Sequence, residues 1–253
     1  PGEKEEVSMG IKSVKVPREM EPLFQQADAY VRAYFAKREE NPDRGEIIIQ
    51  GERYILVRAA SMSVEFLEYI RSTYPALDKS DSVRAAATIL FDIAKAIGKA
   101  DAKAFHKATK VTDPIAKLSM GPVLFAYTGW AYVDIFPESN PTPDENYYLL
   151  YDHPQSFEAD SWIKMGRESD GAGLFTDFTV CHMNAGYSSG WCEESFNVSL
   201  QAKEILCRAK GDPCCRFIMG HPNRVDGFIQ EYREENPGLF GASGSSTPSE
   251  IMK

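Results

Sequence analysis

Apolar positions Leu23, Ala27, Tyr30, Val31, Tyr34 and Phe35 recur at helical spacing between Glu21 and Lys37, which predicts an amphipathic helix with an aromatic stripe. That stripe fits core packing and a dimer seam equally well. The runs EIIIQ and RYILVR flank Gly51 and Glu52 and predict a hairpin, and SMSVEFLEYIRSTY predicts a helix opened by a serine cap. From about Ser82 to Lys107, Val83, Ala86, Ile89, Leu90, Ile93 and Ile97 predict one side of a long scaffold helix. The segments VLFAYTGWAYVDIF and ENYYLLYD crowd β-branched and aromatic residues and predict strands, separated by the turn-rich PESNPTPD. A short helix is expected at SFEADSWIKMG, with Ser156 as cap and Glu158 and Asp160 near the positive end of its dipole. The final helix is predicted from about Val225 to Glu235, followed by a flexible Gly/Ser-rich linker, GASGSSTPS.

One further pair of runs carries chemistry as well as structure. LQAKEILCRA and CCRFIMG predict a hairpin turning through Lys210, Gly211, Asp212 and Pro213. With Gly211 at its centre, Cys207 and Cys215 are equidistant from the turn, and residues opposite each other across an antiparallel pair share a face with Cβ atoms roughly 4.5 to 5.5 Å apart. Cys214 then faces the other way. Cys181 arrives from TVCHMNAGYSSGW, whose small residues suit a helix packed closely on a sheet. Glu204 lies three positions before Cys207, so on a regular strand it faces away, and only a bulge or a strand end brings it round. Thiolate and carboxylate are both zinc ligands, yet a cysteine is equally a small buried hydrophobe. On spacing alone both readings stand, with His182, Cys192 and Cys214 as alternative ligands.

Composition narrows the class. With 253 residues, 43% hydrophobic and 26% charged, the chain is long enough for a sizeable core and has the balance of a globular protein. A net charge of -9 and a pI near 5.1 argue against direct nucleic-acid binding, which calls for a basic face. No apolar run reaches the roughly 20 residues that span a bilayer, and PGEKEEVSMG lacks the basic and apolar parts of a signal peptide. The expectation is a cytoplasmic protein without a membrane segment, its five cysteines reduced. A phosphate loop, a nucleophile elbow and an HExxH motif are all lacking, and GAGLF alone is a weak dinucleotide signal. His106 and His182 read as structural, and Glu193 and Glu194 as solvated surface, so no catalytic residues are expected.

The run AGYSSGW followed by EILCRAKGDPCCRF resembles the C-terminal half of the 4-vinyl reductase domain, as found in sensory modules of bacterial enhancer-binding activators that respond to phenols and xylenes. The likeness is strong over about residues 120 to 220. It implies that Cys181, Glu204, Cys207 and Cys215, with gaps of 23, 3 and 8 residues, bind a structural zinc. Those relatives hold the phenol hydroxyl with a His in a GP-x-L-H context and a Trp 28 residues later. Here Gly121, Pro122, Val123 and Leu124 precede Phe125, and 28 positions on stands His153, so both anchors are changed and phenol itself is not the expected effector. The pocket implied by the resemblance is lined by Leu118, Phe125, Tyr127, Trp130, His153 and Trp191, although these residues read equally as ordinary core. A seven-residue lengthening before Cys181, centred on GRESDGAGLF, alters the expected lid.

These readings combine into an α+β fold, an antiparallel sheet with packed helices and a zinc-stapled C-terminal hairpin. The expected division is a flexible lead over 1–17, a dimerisation or scaffold part over 18–78, a sensing domain over 79–235 and a linker over 236–253 toward an output domain beyond residue 253. The expected partners are a small hydrophobic or aromatic ligand and a second copy of the chain. The runners-up are an enzyme or enzyme subunit acting on a vinyl tetrapyrrole, and an assembly module.

Overall fold

The computed structural model describes residues 11–74, 78–170 and 176–240. The Gly/Ser-rich stretch from Gly241 onward, the GAGLF half of GRESDGAGLF and the first ten residues therefore lie outside the described residues. Among the described residues a five-stranded sheet has the order β1-β5-β6-β8-β7, formed by β1 (Val14–Lys15), β5 (Ala131–Ile135), β6 (Tyr148–Ser156), β8 (Cys215–Gly220) and β7 (Gln201–Leu206). All pairings are antiparallel except β1 with β5, where Val14 lies opposite Val133, so the sheet is mixed. Part of the stretch read as a flexible lead is thus a sheet edge. A second, three-stranded antiparallel sheet is built from β2 (Arg38–Asn41), β3 (Glu46–Ile49) and β4 (Glu52–Tyr54).

Alternation along the large sheet sorts its two faces. Val133, Leu149, Tyr151, Phe217 and Met219 point inward and join the main core with three helices, α3 (Lys79–Thr109), α4 (Pro114–Thr128) and α6 (His182–Phe196). Leu150, Ile205 and Ile218, one residue out of phase, face the other side and meet Val225 and Ile229 of α7 (Val225–Glu235). The period of two is thus obeyed on both faces, each covered by helix. Two further helices, α1 (Glu21–Phe35) and α2 (Val64–Thr73), pack at the N-terminal side, and α5 (Phe157–Asp170) follows β6 directly.

Several expectations are corrected. Val123–Thr128, read as strand, is the C-terminal half of α4. Its start is set by the Asp113 side chain, which accepts the Ala116 N–H at 2.8 Å with Pro114 at the first turn, and its end by Gly129 at φ +78. The helix is apolar almost all round because it is buried, and such a run carries no period to distinguish it from a strand. In α3 the buried line is Val83, Ala86, Leu90 and Ala94, whereas Ile89, Ile93 and Ile97 are 41%, 44% and 36% exposed on a neighbouring face. RYILVR pairs only as far as Tyr54, leaving Ile55, Leu56 and Val57 exposed.

The small residues of α6 do not face the sheet as expected but face α3. A Cβ on Gly186 would lie 2.2 Å from the Phe91 carbonyl oxygen, and one on Gly190 would lie 2.1 Å from that of Lys95. The two helices therefore touch through their backbones. The neighbouring serine covers the sheet side: Ser189 Oγ accepts the Ala202 N–H of β7 at 2.8 Å.

Candidate metal centre and adjoining cavity

The hairpin β7–β8 closes through a turn with Gly211 at φ +94, a left-handed conformation that glycine adopts freely. The Asp212 carboxylate accepts the Cys207 N–H at 2.7 Å and pins the turn. The β7–β8 register shifts between Glu204 and Leu206. This bulge inserts the extra residue that a regular strand lacks, and it turns Glu204 and Cys207 toward the same side. Cys181 precedes the first residue of α6, and its backbone N–H donates to Glu204 Oε2 at 2.8 Å, tying helix start to strand. That helix start is also held by the buried Glu158 of α5, whose two oxygens accept the Met183 and Asn184 N–H groups at 2.9 Å each.

One ligand atom from each of Cys181, Glu204, Cys207 and Cys215 lies within 4.8 Å of the others, a grouping that could hold a metal ion. Cys181 and Cys215 sulfurs are 3.6 Å apart. Tetrahedral zinc with bonds of about 2.3 Å sets sulfur pairs roughly 3.8 Å apart, so the spacing fits. Glu204 Oε1 is buried with no hydrogen-bond partner, an acceptor oxygen aimed among thiols. Burial pushes the Cys181 thiol and the Glu204 carboxyl up, while the Cys207 thiol is pulled down by hydrogen bonds from Cys181 and Cys215. Three thiolates and a carboxylate cannot all be ionised in so dry a space unless a cation balances them. The Ser156 hydroxyl lies 3.1 Å from the Cys181 sulfur and the Arg208 N–H donates to the Cys215 sulfur at 3.4 Å, contacts that favour thiolate. Of the alternative ligands, Cys214 is half-buried outside the cluster, and Cys192 is buried farther along α6.

Along β8, Cys215, Phe217 and Met219 are successive inward positions, and they face His153, Tyr151 and Leu149 of β6 in register. The cluster therefore occupies one end of the sheet's inner face. A cavity of about 30 Å³ lies further along it, between the sheet, α4 and α6, lined among others by Leu118, Phe125, Tyr151, Tyr187, Ser188 and Trp191. Trp191 stacks near Tyr187 at 6.1 Å and 15°, and its indole N–H donates to the Lys117 carbonyl at 3.1 Å. Gly121 makes room for that indole, since a Cβ there would approach it to 2.8 Å.

Three of the six expected pocket residues, Leu118, Phe125 and Trp191, line this cavity. His153 stands just behind its wall, with ring centroids 5.8 Å from Phe125 and 5.3 Å from Tyr151. The imidazole is fully buried, burial lowers its pKa to about 3, and neither nitrogen has a partner. Trp130 packs on Phe125, Tyr187 and Phe157 at the end of α4, away from the cavity lining. Tyr127 points the opposite way, stacked 5.6 Å from Phe35 of α1 and accepting a hydrogen bond from Arg32 at 3.3 Å. Reading Val123–Phe136 as strand caused this misplacement, because helical geometry puts Phe125 and Tyr127 about 200° apart rather than on one face. Tyr151, Tyr187 and Ser188 went unforeseen. The sequence did hold a signal for Tyr151, which shares the parity of His153 on β6.

The architecture defines an α+β module in which a thiol cluster and an aromatic cavity share one sheet face. The crystal structure of the phenol-responsive sensory domain of the transcription activator PoxR with phenol has the same fold, with a TM-score of 0.63 and 18% identity, covering 83% of this chain and 96% of that one. No protein-family model matches the chain, and no curated protein matches it.

Proposed function

We propose that the chain is a ligand-sensing regulatory domain that binds a small hydrophobic or aromatic molecule and controls an attached signalling or transcriptional output domain. The observation that carries this reading is the small aromatic cavity between the sheet, α4 and α6, in a fold shared with a phenol-bound sensory domain. Its lining is apolar with a few polar groups, the pattern of small-molecule sites. The volume of about 30 Å³ has room for water but falls well short of the ~150 Å³ that accommodates benzene. Ligand entry therefore has to push walls apart, and a ligand that binds the opened form shifts the population toward it. Gly186 and Gly190 leave no slack between α6 and α3, so the yielding wall is α4, where Pro122 removes a backbone hydrogen bond inside the helix.

The cluster of Cys181, Glu204, Cys207 and Cys215 holds a structural zinc in this reading, and a full set of protein ligands leaves no open position for catalysis. Zinc there would tie α6 to the β7–β8 hairpin and thereby make the cavity's α6 wall rigid. No catalytic role is assigned to any residue. A tetrapyrrole substrate disagrees with a cavity of this size. The domain acts as a homodimer inside the cytoplasm and touches no nucleic acid itself. Calorimetric titration with a panel of small aromatic compounds tests the proposal. Saturable one-to-one binding is expected, and silence across the panel overturns it.

A further inference from the structure

The cavity wall contributed by β6 carries a hydroxyl that no well-formed hydrogen bond satisfies among the described residues. Tyr151 is 2% exposed, and its hydroxyl has no hydrogen-bond partner although its ring lines the cavity. The Ser188 hydroxyl approaches it from α6 across the same space without completing a well-formed hydrogen bond. A buried hydroxyl without a partner is costly, so such groups persist where something else supplies the bond. We infer that Tyr151 and Ser188 form the specificity-determining polar clamp of the cavity, gripping one oxygen of a neutral aromatic ligand whose ring lies against Phe125, Tyr187 and Trp191. The inference rests on the sensing reading above and adds where the ligand's polar end sits and what charge it carries.

Chemistry at the clamp limits the ligand class. Both hydroxyls donate and accept, so an alcohol, aldehyde or ketone oxygen can be held between them. Burial raises the Tyr151 hydroxyl far from ionisation, and among the described residues no cationic side chain lines the cavity, so a carboxylate has no counter-charge there. The clamp stands apart from Phe125 and His153, the two positions at which the resemblance would put the anchors. Phe125 offers no hydrogen bond at all, and His153 lies behind the lining rather than in it.

Calorimetry with benzyl alcohol, benzaldehyde, toluene and benzoate on the full chain, alongside Tyr151→Phe, Ser188→Ala and His153→Phe, tests the inference. Wild type should bind benzyl alcohol or benzaldehyde at least tenfold more tightly than toluene, and benzoate not at all. Tyr151→Phe should shrink that preference to about threefold or less while leaving toluene affinity and the melting temperature nearly unchanged, and Ser188→Ala should act in the same direction. Equal binding of toluene and benzyl alcohol by wild type overturns the clamp while leaving sensing intact. So does a preference erased by His153→Phe and untouched by Tyr151→Phe. Absence of binding by all four compounds overturns both readings.

Discussion

The thiol cluster and the aromatic cavity lie on the same face of one sheet and share strand β8, yet they treat polar atoms in opposite ways. At the cluster, four potential ligand atoms converge within 4.8 Å, and backbone N–H groups and the Ser156 hydroxyl support them. In and behind the cavity wall, Tyr151 and His153 carry polar atoms that make no well-formed hydrogen bond among the described residues. Convergent polar atoms suit a permanent guest such as a metal ion, whose removal strands several charges together. Isolated ones suit a guest that comes and goes, since each vacancy costs only about 1 to 3 kcal/mol. On the proposed reading the difference is one of job: the first region holds α6 in place, and the second leaves room for α4 to respond.

The largest effect expected from breaking this contrast is at the cluster. Cys207→Ala or Cys215→Ala should lose about one zinc per chain by elemental analysis, and chelation of the wild type should lower the melting temperature sharply, because structural zinc contributes on the order of 10 kcal/mol to folding. Metal-free protein of undiminished melting temperature would remove the staple from the account. Next, Trp191→Ala should cost about 3 to 5 kcal/mol in denaturant melts by opening the cavity beside Tyr187, while metal content stays at the wild-type level. A smaller loss, about 1 to 3 kcal/mol, is expected for Gly186→Ala, whose new methyl collides with the Phe91 carbonyl on α3. Loss of zinc in that variant would show the two regions to be less separable than their geometry suggests.

The smallest effect is a pH slope from His106, which packs 5.7 Å from Trp191 on the far side of the cavity. Burial, then the Lys117 charge, lowers its pKa from 6.5 to about 4. Folding thus favours the neutral ring, so its stability contribution is intact above about pH 6.5 and is lost as pH falls from there toward 4. Between pH 7.5 and 5.0 this group should account for about 1 to 2 kcal/mol of the stability decrease. Replacing it by Phe should flatten the pH dependence by that amount in paired denaturant melts.

How much was legible in the sequence differs between the two regions for a physical reason. The hairpin with Cys207 opposite Cys215 follows from local turn chemistry around Gly211 and from the period of two. Glu204 posed a parity conflict that named its own solution, a bulge, and the register shift between Glu204 and Leu206 is that bulge. The cavity depended on whether Val123–Thr128 was helix or strand. Its β-branched and aromatic content pointed to strand, but the caps at Asp113 and Gly129 prevailed, and Tyr127 moved to the opposite side from Phe125. In α3 an apolar stripe broader than the buried line concealed which isoleucines face solvent.

By itself, then, the sequence determined the α+β class, the inward parity of the central strands and the hairpin that brings Cys207 and Cys215 together, because turns and alternation act over short stretches of chain. The full set of four cluster residues was implied only by the family resemblance. Only the tertiary structure decided that Gly186 and Gly190 meet α3 rather than the sheet, that His153 sits behind the cavity wall, and that Tyr151 and Ser188 face each other across it. Those outcomes depend on how helices settle over a sheet face, and that packing joins residues far apart in the chain, where no local pattern reaches.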